Sequence, residues 1–218
     1  MKIGKVEVNT SYNLPVGTSS DGYILQTDIS GNVTWQPETG GSATAGELAR
    51  LDNNTLLLGF YRAIDNSKTI YNMVNGFVDE YEDESGIDLD ASINETYDAS
   101  GDYYTNTSSG GVPMTLISIA QTAISGETTN GVRINIYEED IDADIILNTD
   151  IIAYVSRDNG ATWIQATLTK DGNYSSTGQI LVDSVDFGSG VDEGIEMKYK
   201  IVTTTKELRI HGVGILWD

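Results

Sequence analysis

Residues 151–169 read IIAYVSRDNGATWIQATLT, and this stretch decides the fold. Two β-prone runs, IIAYVS and TWIQATLT, flank RDNGA, a cluster of turn-forming residues. The same rhythm continues on both sides. PMTLISIAQ, GVRINIYEE and DIILNTD come before it; GQILVDSVDF, EMKYKIVTTT and ELRIHGVGILW follow. Val132, Ile134 and Ile136 alternate with polar neighbours, as do Met197, Tyr199 and Ile201, which is the period of strands with one buried face. About seven strands over residues 112–218 with no helix between them predict an antiparallel, jelly-roll-like β-sandwich. Parallel α/β order is excluded for this part.

The turn itself matches a known pattern. Ser156-x-Asp158-x-Gly160-x-Thr162-Trp163 has the spacing of the Asp-box, a motif best known from sialidases. Its chemistry is local: Ser and Asp side chains bond nearby backbone N–H groups, and Gly160 accepts positive φ. Trp163 packs behind the turn as the next strand opens. One good copy is present, whereas a propeller needs at least four blades. Ser156, Asp158, Gly160, Thr162 and Trp163 are therefore assigned to a structural turn, and no catalytic or cofactor-binding residue is assigned.

Charge narrows the functional classes. The chain has 33 acidic and 12 basic residues, a formal net charge of −21, and no Cys. It repels phosphate backbones and anionic lipid, so neither nucleic acid nor a membrane is an expected partner. No disulfide or thiolate metal site is possible. No apolar run approaches the roughly 20 residues of a membrane span, and MKIGKVEVNTSYNL lacks the apolar core of a signal peptide. Synthesis in the cytoplasm without secretion is expected.

Two acidic clusters stand out. Glu138, Asp140, Asp142 and Asp144 fall on one face if the chain stays extended, and calcium would relieve their repulsion. They are the metal candidates; hydration at a sheet edge is the alternative, and no other cofactor is expected. Residues 79–102 carry ten acids, with no Lys or Arg from Thr69 to Val132. This reads as a solvated, extended connector, pinned to the body by Tyr81, Tyr97, Tyr103 and Tyr104. The single His211 is read as a strand-surface residue sharing a face with Arg209 and Val213.

The first 70 residues differ in character. GYILQT and NVTWQ form a hairpin signal, with Asp28 and Gly31 supplying the turn. Residues 47–66 give the helical signal: Leu57, Phe60, Tyr61 and Ile64 follow the i, i+3, i+4, i+7 rule, and Asn53-Asn54-Thr55 offers a fresh cap. Such a short helix must pack on the body or on copies of itself. Leu57, Phe60 and Ile64 are the candidate oligomer contacts. The resulting division is a β module at 1–40, a flexible break and helix at 41–70, an acidic connector at 71–111 and the sandwich at 112–218.

LPVGTSSDGYILQTDISGNVTWQP (14–37) resembles a module of bacteriophage tail-fibre and related virion proteins. NMVNGFVDEYEDESGIDLDASINETYDASGDYY (72–104) is similar to a connector of marine phage structural proteins, and the C-terminal half looks like the β domain that accompanies it. The resemblance covers most of the chain and brings no catalytic residue. It implies a non-enzymatic virion protein of fibre or spike type, made in the host cytoplasm. The N-terminal module would anchor it to other virion proteins, and it would assemble as a homotrimer. The sandwich would be displayed for attachment to a host-surface glycan, through Tyr and Trp side chains. A capsid decoration or head fibre without receptor binding is the alternative, and a polysaccharide depolymerase the third.

Overall fold

The computed structural model describes residues 23–27, 33–37, 45–106, 112–123, 129–172, 174–175, 177–188 and 194–218. The chain forms two compact units, Met1–Ala49 and Arg50–Asp218. The first holds an antiparallel hairpin of β1 (Tyr23–Thr27) and β2 (Val33–Pro37), with Tyr23 opposite Pro37 and Thr27 opposite Val33. Asp28, Gly31 and residues 1–22 lie outside the described residues. The boundary between the units falls within helix α1 (Ala45–Ile70).

The second unit is a sandwich of two antiparallel sheets. Its strands are β3 (Asn75–Asp79), β4 (Glu95–Asp98), β5 (Tyr103–Asn106), β6 (Thr115–Ile117), β7 (Gln121–Thr122), β8 (Gly131–Asp140) and β9 (Ile151–Ser156). After these come β10 (Ile164–Gln165), β11 (Thr169–Lys170), β12 (Gly178–Asp186), β13 (Glu196–Thr203) and β14 (Leu208–Trp217). The larger sheet runs β11-β12-β8-β14-β5-β4, with β3 also paired to β14. The smaller runs β10-β9-β13-β6, with β7 paired to β13. The predicted alternations hold: Val132, Ile134 and Ile136 share the core between the sheets with Met197, Tyr199 and Ile201.

The acidic segment is not a connector. Residues 75–79, 95–98 and 103–106 are strands of the larger sheet. Its acids cap its turns: Asp79 Oδ1 accepts the Tyr81 N–H, Asp83 the Ser85 N–H, and Asp98 the Ser100 and Gly101 N–H groups. With further hydrogen bonds from the Ser100 and Tyr103 hydroxyls, the Asp98 carboxyl is held down to about 2. The tyrosines do pin the segment. Tyr81 sits at φ 57°, fully buried, edge-on to Tyr104 at 4.9 Å, with its hydroxyl 3.0 Å from that of Tyr199. Tyr97 donates to the Tyr81 carbonyl at 2.7 Å.

Helix α1 is one continuous rod of 26 residues and does not restart at Asn53. Thr55 turns its hydroxyl back to the Leu51 carbonyl, and Asn53 accepts the Tyr137 hydroxyl. The helix buries Leu56, Phe60, Ala63 and Ile64 against Tyr137, Ile180, Val182 and Leu216 on the outer face of the larger sheet. Its apolar stripe is thus rotated by one residue from the expected one, leaving Leu57 and Tyr61 exposed at its edge. Phe60 and Ile64, expected as oligomer contacts, are consumed within their own chain.

A bulge in β14 makes the seat for the helix. The register shifts between Ile210 and Gly212, so the strand changes faces there. Arg209 and His211 point outward, but Val213 points into the core, contrary to the expected regular alternation. Gly212 and Gly214 then face the helix. A Cβ on Gly214 would collide with Ile64 Cδ1, and one on Gly212 would lie 3.4 Å from Phe60. Glycine lets the helix lie directly on the strand.

Candidate functional site

The smaller sheet keeps its outer face free of the helix. In β9, Ala153 and Val155 enter the core, so Ile152 and Tyr154 face outward. In β13, Met197, Tyr199 and Ile201 enter the core, so Lys198, Lys200 and Val202 face outward. The register places Tyr154 directly opposite Lys200, with Gln165 opposite Tyr154 on its other side. Residues paired this way lie roughly 5 Å apart and act as one surface.

The predicted turn delivers the third member. Ser156 Oγ donates to Asp158 Oδ1 at 2.6 Å and accepts the Gly160 N–H at 2.9 Å. Asp158 Oδ1 also accepts the Thr162 N–H at 2.9 Å. Burial opposes ionisation of Asp158, but these hydrogen bonds outweigh it and hold its carboxyl below the ordinary value. Asn159 and Gly160 take φ of 60° and 84°. A Cβ on Gly160 would press on Trp163 at 3.0 Å. The turn therefore fixes the indole beside β13.

The result is a platform. Lys200 Nζ lies 4.5 Å from the Tyr154 ring centroid and 4.4 Å from the Trp163 ring centroid. Both rings are partly exposed. Burial of the Lys200 ammonium stem lowers its pKa. Such a surface can stack the C–H face of a flat ligand and offer it N–H donors.

The remaining candidates occupy other places. Glu138 is fully buried on β8 facing inward, and Gln179 Nε2 donates to Glu138 at 2.7 Å and to Asp140 at 3.1 Å. Burial, then the neighbouring Asp140 charge, pushes Glu138 up to about 9. The strand ends at Asp140, so the expected single acidic face is divided. Asp142 accepts the Glu207 N–H, and Asp144 takes φ 60° while its carbonyl accepts from Lys206. Among the described residues no group of three or more His, Cys, Asp or Glu is placed to hold a metal ion.

His211 lies under the helix, stacked on Tyr137 at 4.6 Å, with Nε2 3.2 Å from Glu139. Hydrogen bonds from His211 and Arg209 hold the Glu139 carboxyl below its ordinary value against partial burial. A cleft of about 270 Å³ opens here, lined in part by Asn53, Leu57, Glu80, Tyr137 and His211. Its polar floor is already satisfied, Tyr137 by Asn53 and His211 by Glu139.

The sequence assigns Trp163 to the structural turn and singles out neither Tyr154 nor Lys200. The alternation of MKYKIV puts Lys200 outward, a signal that was there to read. The pairing of β13 with β9, which brings Tyr154 to it, is a long-range register and leaves no local mark.

No protein-family model matches the chain, and no curated protein matches it. Among solved structures, it is similar to the C-terminal CBM6 of LamC, a marine laminarinase from Zobellia galactanivorans, at 12% identity and TM-score 0.37. That match covers 65% of this chain and 99% of the other. It is also similar to the CBM22-1 xylan-binding domain of Xyn10C from Paenibacillus barcinonensis, at 10% identity and TM-score 0.27, over 48% of this chain and 72% of the other.

Proposed function

We propose that this protein is a non-enzymatic glycan-binding module, and that it holds its ligand on the outer face of the smaller sheet. The observation that carries this reading is the platform of Tyr154, Trp163 and Lys200, two rings bracketing one ammonium on an accessible sheet face. Sugar rings have apolar C–H faces and polar rims, so a surface that stacks and donates at once suits them.

The resemblance of residues 14–37, 72–104 and the C-terminal half to phage virion proteins supports a place on a fibre or spike, where glycan retention serves host attachment. Assembly as a homotrimer, which the same resemblance implies, has to use residues other than the buried Phe60 and Ile64. Sedimentation of the whole chain at micromolar concentration checks it: a monomer removes the trimer.

Affinity electrophoresis tests the binding. The wild-type protein is expected to be retarded in gels containing a host-surface polysaccharide. Trp163→Ala should migrate freely while keeping its far-UV circular dichroism. Free migration of the wild-type protein in every polysaccharide tried would sink the reading.

A further inference from the structure

We infer that the ligand of this platform is an acidic saccharide, bearing a carboxylate or a sulfate ester, and that Lys200 reads its negative group. The inference rests on the glycan-binding reading above and gives it a chemical class.

Four cations elsewhere in the molecule are spent on carboxylates: Lys198 on Asp88 at 3.0 Å, Lys206 on Asp150 at 3.2 Å, Arg209 on Glu139 at 3.2 Å and Arg62 on Asp171 at 3.3 Å. None of the ion pairs among the described residues uses Lys200. Its ammonium is held instead between two ring faces. Cation–π attraction steadies the charge but accepts none of its three N–H bonds in the normal way. An anionic oxygen arriving from the open side would take them.

The size of the anion follows from the rest of the molecule. A net charge of −21 repels a densely charged polyanion. That field is screened beyond about 8 Å at physiological ionic strength, so a single charged group beside Lys200 feels the ammonium most. The platform therefore suits a glycan with isolated acidic groups, and disfavours nucleic acid. Gln165, exposed opposite Tyr154, adds a donor and an acceptor for a neighbouring hydroxyl.

The test compares matched polymers on the whole protein by affinity electrophoresis and calorimetry. Gellan and glucuronoxylan supply widely spaced carboxylates, a sparsely sulfated galactan supplies sulfate, and unsubstituted xylan, neutral galactan and mannan supply neither. Wild type is expected to bind at least one acidic polymer about tenfold more tightly than the neutral ones. The two acidic arms then say which anion is read. Lys200→Met should lose that preference, and Lys200→Arg should retain it. Equal binding of acidic and neutral polymers by wild type, or a preference that survives Lys200→Met, overturns the inference. If Trp163→Ala still abolishes binding in that case, the glycan-binding reading stands without it. No binding to any polymer overturns both.

Discussion

The two sheets of the sandwich treat their outer faces in opposite ways. The larger sheet lowers its relief, with Gly212 and Gly214 aligned by the β14 bulge, and α1 lies down on it. The smaller sheet raises its relief with Tyr154, Trp163 and Lys200, and no helix among the described residues covers it. Both faces are built from alternating strands, and the β14 bulge is the break that turns the glycines outward. The difference lies in what the outward positions hold. Small residues admit a permanent cover made of the same chain; large flat ones carrying a cation leave room for a visitor.

This contrast can be broken by substitution, and the largest effect should come from the covered face. Phe60→Ala empties a fully buried site under the helix and should cost about 3–5 kcal/mol in urea unfolding. A loss below about 1 kcal/mol would mean that the helix does not seal that face. The turn that carries Trp163 comes next. Ser156→Ala removes the acceptor of the Gly160 N–H and the donor to Asp158, at about 1–2 kcal/mol. It should also loosen Trp163 and weaken binding, which a Phe60 substitution should not do while the protein remains folded.

The interior gives a pH-dependent effect. Glu138 is pushed up to about 9 by burial and by Asp140, whereas its ordinary value is 4.5. Between those values the folded chain keeps a proton that the unfolded chain has released, so stability should decline as pH rises from about 4.5 to about 9. Glu138→Gln should flatten that slope in a series of thermal melts. A slope identical in both proteins would show that the buried carboxyl does not set it. The smallest effect on stability belongs to the bare face. Tyr154→Ala should move unfolding by no more than about 0.5 kcal/mol, yet weaken glycan binding about tenfold. If stability fell as far as for Phe60→Ala, Tyr154 would belong to the core and the two faces would not differ.

The legible parts of the molecule were those with local causes. Strand alternation at Val132–Ile136 and Met197–Ile201 follows from side-chain period, and the Asp158–Gly160 turn from hydrogen bonds within a few residues. The rest depends on partners distant in sequence. Residues 71–111 read as a connector because their acids look solvated, but those acids cap turns between short strands that join the larger sheet through β14. The helix stripe was misread by one residue because Leu56 and Leu57 are equally apolar, and only the shape of the sheet selects between them. The β14 bulge has no sequence signature strong enough to move Val213 to the other face in advance. Tyr154 and Lys200 each showed an outward direction; only the β9–β13 register made them neighbours.

Strand β14 also sets the order in which the molecule can be assembled. It is flanked by β8 on one side and by β3 and β5 on the other, and all three precede it, with five strands between β8 and β14. During synthesis the middle of the larger sheet is therefore a gap until β14 emerges. Until then β3 lacks its partner, the β4–β5 pair has no sheet to join, and the apolar stripe of α1 lacks part of its seat. Pairings so distant along the chain close slowly. Refolding should therefore show helix content early and the burial of Phe60 late.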